Sequence, residues 1–164
     1  LKEKGLIKKI GVSIYSPEIL GEVLKLPDLD IVQAPFNIFD QRILSSGWAS
    51  RLRKNDIEIH TRSVFLQGLI LLQQPNLHPY FKKNWPELFS AWFEFKRSSS
   101  NDAVTIALGF ALKQPWIDKV VVGVDSARQL SRLVQIEKAS NQSFDPLLEC
   151  HDVGLIDPSK WKIK

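Results

Sequence analysis

Ile59-His60-Thr61-Arg62-Ser63-Val64-Phe65-Leu66-Gln67-Gly68-Leu69-Ile70-Leu71 is the stretch of sequence that decides the fold. An apolar, β-branched run ends in a polar turn that contains a glycine, and a second apolar run with helical spacing follows. This order predicts a buried strand, a loop and a helix. α/β proteins bind ligands at such loops, because backbone N–H groups and helix starts face outward there.

Three further apolar runs predict strands of the same type. Together with the run above, the predicted strands are 6–13, 29–34, 57–62 and 119–123. Predicted helices follow at 17–26, 41–54, 86–97, 103–113 and 127–139, whereas 73–84 is polar, contains proline and predicts no element. The strands are continuous apolar runs rather than alternating ones, which is typical of a parallel sheet covered by helices.

Four strand–helix units make about half of a (β/α)8 TIM barrel, which takes roughly 250 residues. The predicted fold class is therefore α/β, with one partial domain over 1–164. We expect a half barrel of parallel strands over 5–140 and a tail over 141–164 that packs on it. Apolar residues of the tail, such as Leu155, Ile156 and Trp161, favour that packing.

The composition describes a globular protein with one ordinary core, since 44% of the 164 residues are hydrophobic. The net charge of +4 is dispersed, which argues against nucleic-acid binding. No apolar run reaches the ~20 residues of a membrane span.

The single cysteine, Cys150, excludes an internal disulfide and favours the cytoplasm. The chain has no methionine and begins with Leu1, so we expect a fragment of something longer.

Polar residues follow the predicted strands, and in a barrel they would share the C-terminal face. They are Ser13, Gln33 with Asn37, Arg62 with Ser63 and Gln67, and the cluster Gly123, Asp125, Ser126, Arg128 and Gln129. Gly123-Val124-Asp125-Ser126 leads into a helix and could bind phosphate with backbone donors. The alternative is that Ser126 only caps the helix.

Arg62 ends a buried strand, where a cation needs an anion, an aromatic face or solvent. A purely structural role, with Glu58 or Asp40 as its partner, remains an alternative to a ligand site. The three histidines have no metal-ligand spacing. The aromatic helix with Trp85 and Trp92 is predicted to pack, although its neighbouring loop could line a substrate mouth.

With these residues in view, the chain resembles the C-terminal half of an aldo-keto reductase, an NADPH-dependent family with a (β/α)8 barrel. The matching blocks are Ile10–Ser13, Val32–Asn37, Arg62–Leu69, Gly123–Ser126 with Gln129-Leu130, and Leu155–Trp161. They occur in the family's order over nearly the whole chain. The resemblance implies that the chain supplies the fifth to eighth barrel strands.

The resemblance also implies roles in binding NADP(H). Ser13 and Gln33 would hold the nicotinamide carboxamide, and Arg62 would stack on the nicotinamide ring. The implied pyrophosphate residues are Ser63, Phe65 and Gln67, and the implied adenosine and phosphate residues are Gly123, Ser126, Arg128 and Gln129. Ile14 and Leu133 stand where the family often has asparagine, so contact with the cofactor is expected to be weakened or lost.

The family's catalytic aspartate, tyrosine, lysine and histidine belong to the first four strands. No residue of this chain is assigned a catalytic role, and the chain alone is expected to be inactive. Carbonyl reduction of a small substrate would need an N-terminal barrel half, in cis or in trans. The alternative is a non-catalytic half barrel that binds nucleotide or assembles with a second copy of itself. Neither alternative involves nucleic acid or a membrane.

Overall fold

The computed structural model describes residues 1–136 and 148–163. In them, four strands form one parallel sheet with the order β1-β2-β3-β4. The strands are β1 Gly11–Ser13, β2 Ile31–Pro35, β3 Glu58–Arg62 and β4 Lys119–Val120. The helices are α1 Leu20–Val23, α2 Arg42–Ser45, α3 Trp48–Lys54, α4 Pro79–Asn84, α5 Pro86–Ser98, α6 Ala103–Leu112, α7 Ala127–Val134 and α8 Val153–Ile156. The predicted α/β class with a parallel sheet is confirmed.

The two faces of the sheet differ in chemistry because paired residues of parallel strands point to the same side. One face carries Val32, Ala34 and Ile59, all buried in the core. The opposite face carries a row in which Ser13 pairs with Gln33, Gln33 with His60, and His60 with Lys119. This polar row is only partly covered by the described chain.

Aromatic side chains join the sheet to the helices. Phe36, directly after β2, stacks on Phe110 of α6 with ring centroids 5.2 Å apart. Phe39 meets Phe89 and Trp92 of α5 edge-on at 5.7 and 6.0 Å. The segment after β2 is therefore held rigidly against two helices, which fixes the positions of the polar residues at the strand ends.

The outer strands are shorter than predicted. The predicted strand 6–13 is wrong for 6–10, where the carbonyl of Ile10 accepts bonds from Asp30 and Ile31 but no ladder forms. The strand predicted at 119–123 ends at Val120. Among the described residues both strands pair on one side only, so a second neighbour there does not extend their ladders. Gly11 is required in β1 because a Cβ there would lie 2.8 Å from the Cβ and the carbonyl oxygen of Ile31.

Three helix predictions need correction. The helix predicted at 41–54 is broken into α2 and α3 at Gly47, whose φ is 77°, in the left-handed region. The apolar run after the loop forms only a short 3₁₀ turn, Leu69–Leu71. The region 73–84, predicted without an element, contains α4, which begins at Pro79 and is capped by the His78 ring nitrogen accepting from the Tyr80 N–H.

The described part of the tail packs against the segment after β2 and against Trp85 at the start of α5. The Cys150 N–H donates to the Phe39 carbonyl over 2.8 Å, and Leu148, Leu155 and Ile156 are buried. The Trp85 indole N–H donates to the Asp152 carboxylate over 3.0 Å. The helix predicted at 127–139 is wrong for 135–136, because α7 ends at Val134. Residues 137–147 lie outside the described residues.

Candidate functional site

The ends of β1 and β2 place a hydroxyl beside an amide. Ser13 Oγ donates to Gln33 Oε1 over 3.2 Å, because the two residues are paired in register. The Gln33 amino group makes no hydrogen bond within the part of the chain that the structure describes. The pair therefore offers a free donor and free acceptor lone pairs, the complement of a primary amide.

Arg62, the last residue of β3, lies with its guanidinium over the Tyr15 ring, 4.6 Å from the centroid. Its two terminal nitrogens donate to the Ile14 carbonyl and to Ser63 Oγ, both over 3.1 Å. Within residues 1–136 and 148–163 no carboxylate forms an ion pair with it. A planar cation with one face on an aromatic ring thus lies at the carboxyl ends of the strands.

The suggested structural partners of Arg62 are therefore wrong. Glu58 pairs with Lys9 and lies 3.3 Å from the His60 ring nitrogen. Asp40 binds Arg42 through both carboxylate oxygens, at 2.8 and 2.9 Å. This contact raises the pKa of Arg42 above its ordinary value. Both carboxylates have nearer cations, which leaves the charge of Arg62 without an ion-pair partner in the described residues.

The loop after β3 has an unusual backbone. Ser63, Leu66 and Gln67 have φ values of 62°, 44° and 53°, followed by Gly68 at 82°. Non-glycine residues in this region each cost about 1–2 kcal/mol. Such a conformation persists only where the surroundings determine it, and buried Asn37 supplies one constraint by donating to the Ser63 carbonyl over 3.1 Å. Clusters of this kind occur at ligand-binding loops.

A cavity of about 230 Å³ opens beside this loop. Arg62, Ser63 and Gln67 line it, together with Tyr15 and with Asp157 of the tail. The sequence reasoning gave Asp157 and its neighbour Ser159 no role, although both lie in one of the matching blocks. Asp157 Oδ1 accepts from the Ser159 N–H and hydroxyl at 3.0 and 2.7 Å, which closes the turn.

The second predicted cluster, at the start of α7, is arranged as a helix cap. Ser126 Oγ accepts from the Gln129 N–H over 3.2 Å, and Gln129 Oε1 accepts from the Asp125 N–H over 2.7 Å. Arg128 is exposed and has no partner among the described residues. The capping alternative is thus realised for Ser126, while backbone donors of the first turn remain available.

A cavity of about 270 Å³ connects the two clusters. Phe65 lines it from the loop after β3, and Gly123 and Gln129 line it from the segment before α7. Ser126 and Arg128 do not line this cavity. The structure therefore brings Ser13 with Gln33, Arg62 with Ser63 and Gln67, and Phe65 with Gly123 and Gln129 into three neighbouring groups.

A larger cavity of about 510 Å³ lies away from the strand ends. It is lined by the α4–α5 junction, including Trp85 and Leu88, and by Glu149 and Cys150. Burial raises the pKa of the Cys150 thiol above its ordinary value, which disfavours a reactive thiolate. The cavity lies beside the aromatic helix, where a substrate mouth was suggested. Its lining gives no further support for binding a substrate.

Metal sites and membrane spans find no support in residues 1–136 and 148–163. No three histidine, cysteine, aspartate or glutamate side chains there come close enough together to hold a metal ion. None of the helices in these ranges combines the length and the apolar character that crossing a membrane requires.

Comparison with known proteins finds a family whose sequence model matches most of the chain. The sequence model of the aldo/keto reductase family matches residues 1–151. The uncharacterized oxidoreductase YqkF of Bacillus subtilis (strain 168) is 24% identical over 148 residues, which are 85% of this chain and 47% of that protein.

Solved structures share the fold. The aldo-keto reductase AKR11C1 from Bacillus halodurans, in its holo form, matches 87% of this chain and 49% of its own with a TM-score of 0.71 and 22% identity. The glycerol dehydrogenase AKR11B4 from Gluconobacter oxydans matches 83% and 46% with a TM-score of 0.63 and 20% identity. The chain spans about half the length of the relatives it matches. Because the family model covers nearly the whole sequence, the protein belongs to the aldo/keto reductase family.

Proposed function

We propose that this chain is the C-terminal, cofactor-binding half of an aldo-keto reductase barrel and supplies its fifth to eighth strands. The single observation that carries the proposal is the polar edge where Ser13 pairs with Gln33 and Arg62 lies over Tyr15. Ligands of parallel α/β folds bind at the carboxyl ends of the strands. All of these side chains stand at those ends.

The residues fit the nicotinamide end of a dinucleotide. The free amino group of Gln33 and the Ser13 hydroxyl complement the carboxamide. Arg62 presents a planar cation to the ring, held in place by the Ile14 carbonyl and by Tyr15. When bound, the dinucleotide supplies or accepts the hydride. The chain's own part is to orient that ring against the carbonyl carbon of the substrate.

The loop after β3 fits the pyrophosphate. Ser63, Phe65 and Gln67 follow the strand directly. The Leu66 and Gly68 N–H groups donate within the loop, whereas the Phe65 and Gln67 N–H groups make no hydrogen bond among the described residues. Gly123 and Gln129, which line the cavity of about 270 Å³, then face the adenosine end, and Ser126 and Arg128 lie beside it at the start of α7. NADP(H) is the dinucleotide implied by the resemblance.

The chemistry of carbonyl reduction requires a proton donor near the substrate oxygen. In this proposal the N-terminal half of the barrel supplies the aspartate, tyrosine, lysine and histidine for that step. Tyr15 is a poor substitute, because it is exposed and its ring carries the Arg62 cation. This chain alone is therefore expected to bind a dinucleotide without reducing carbonyls.

The polar face of the sheet favours a partner. The row from Ser13 through Gln33 and His60 to Lys119 faces away from the helix-covered core. In the part of the chain that the structure describes, β1 and β4 each have one unpaired edge. A second half barrel would cover the face and pair both edges. The N-terminal barrel half, in cis or in trans, is the favoured partner. We further place the complete enzyme in the cytoplasm, where Cys150 stays reduced.

The test combines the chain with the N-terminal half of the Bacillus halodurans relative. We expect dinucleotide-dependent reduction of a small aldehyde that neither half performs alone. Arg62→Ala should raise the KM for the dinucleotide about tenfold. Arg51→Ala is the matched control, because Arg51 lies over the Trp48 ring at 4.3 Å but away from the strand ends.

A complex that forms by sedimentation yet shows no activity at any ratio would contradict the proposal. The alternative is a non-catalytic half barrel that assembles with a second copy, and the open face and two free edges support it as well. A stable monomer in sedimentation of the isolated chain would exclude that alternative.

A further inference from the structure

The cavity between the loop after β3 and the start of α7 has an unusual charge distribution. It measures about 270 Å³, and Leu71, Val104 and Leu133 give it apolar walls. Its polar lining consists of Asp125, Gln129 and Arg132. If the proposed function is correct, this cavity receives the adenosine end of the dinucleotide, so these three side chains decide which adenosine it accepts.

The cation of the lining already has an ion-pair partner. Arg132 forms an ion pair with Asp102, the residue that caps α6. Gln129 is neutral, and its side-chain oxygen is occupied by the Asp125 N–H. Among the described residues that line the cavity, no further lysine or arginine is present. A phosphate group in this cavity would find no unpaired cation there.

The carboxylate of Asp125, in contrast, is free. It is exposed and forms no ion pair or hydrogen bond with the described residues. Asp125 precedes Ser126, the N-cap of α7, so the carboxylate already provides the negative charge that the positive end of the helix favours. A second anion at this helix start would meet that carboxylate.

We propose that Asp125 selects the dinucleotide with an unphosphorylated ribose, so that this chain binds NAD(H) in preference to NADP(H). Ribose hydroxyls donate hydrogen bonds, and a carboxylate accepts them. A 2′-phosphate carries close to two negative charges and repels the same carboxylate. A repulsion of this kind across solvent-exposed contact distances changes affinity by about tenfold.

The test is a pair of calorimetric titrations of the full chain with NADH and with NADPH at matched ionic strength. We expect NADH to bind about tenfold more tightly. Asp125→Asn keeps the shape and the backbone bond to Gln129 but removes the charge, and should bring the two dissociation constants close together. Asp28→Asn is the matched control, because Asp28 is an exposed carboxylate that precedes β2, at the amino ends of the strands.

The outcomes separate this inference from the proposed function. Tighter binding of NADPH by the unchanged chain, or an unchanged ratio in Asp125→Asn, overturns the selectivity of Asp125 and leaves the cofactor-binding half standing. Loss of that NADPH preference in Arg128→Ala would assign the phosphate to Arg128 instead. Absence of binding by either nucleotide contradicts the proposed function and this inference together.

Discussion

Asn37→Ala should be among the most damaging substitutions at the sheet edge. Asn37 is fully buried directly after β2. Its Oδ1 accepts from the Phe39 and Asp40 N–H groups, both over 2.9 Å, and its Nδ2 donates to the Ser63 carbonyl over 3.1 Å. One side chain thus closes the turn after β2 and ties it to the left-handed loop after β3.

The magnitude follows from the groups left without partners. Truncation strands two N–H donors in residues that are themselves buried, and it removes one bond to a carbonyl. An unsatisfied buried donor costs about 1–3 kcal/mol, and a lost bond about 1 kcal/mol. The free energy of unfolding should fall by about 3–7 kcal/mol. In urea this lowers the midpoint by roughly 2 M, given the usual slope for small proteins.

The assay is urea unfolding of both chains followed by circular dichroism. Asn84→Ala serves as the control, because Asn84 is exposed and its amide makes one bond, to the Tyr80 carbonyl. The control should lose no more than about 0.5 kcal/mol. A loss below about 1 kcal/mol for Asn37→Ala would refute the argument that this side chain holds the loop.

Two further substitutions test the first strand and its surroundings. Gly11→Ala should lower the free energy of unfolding by about 1–3 kcal/mol, because the new Cβ meets Ile31. Gly21→Ala is the control: Gly21 lies in α1 with open space around it, so the substitution should raise the free energy of unfolding by about 1 kcal/mol. Equal effects of the two substitutions in urea unfolding would contradict this. The Lys2 ammonium holds the pKa of Asp30 below its ordinary value, so the stability from this pair is present at neutral pH and is lost as pH falls through that pKa. Lys2→Gln should therefore raise the pKa of Asp30 in an NMR titration, and its stability deficit at neutral pH should disappear in acid; a deficit that persists below the pKa of Asp30 would be inconsistent with this assignment.

The central part of the fold could be predicted from the sequence, and its borders could not. The continuous apolar runs at β2 and β3 indicate their positions well, because each central strand is buried and pairs on both sides. The outer strands β1 and β4 are shorter than their apolar runs suggest, because each pairs with its one neighbour along only part of that neighbour's length. The helix α4 was missed because its cap is a histidine, His78, rather than a serine or aspartate.

The sequence predicts candidate residues at the ends of the strands, but it does not predict the contacts that they make. The resemblance points to Ser13 and Gln33, and the parallel pairing of β1 with β2 places these two residues side by side. The choice of Glu58 or Asp40 as a partner for Arg62 was wrong, because nearer cations occupy both. The contact of Arg62 with Tyr15 joins the ends of strands that are not adjacent in the sheet, and no local sequence pattern contains that information.

The most direct test of the cofactor-binding half is an NMR map of amide shifts upon addition of NADH. We expect the largest changes at Ser13, Gln33 and Gly123 and through the loop 63–68, with none at Asp28 at the amino ends of the strands. Changes confined to the larger cavity beside Trp85, or no changes at saturating nucleotide, would contradict the account.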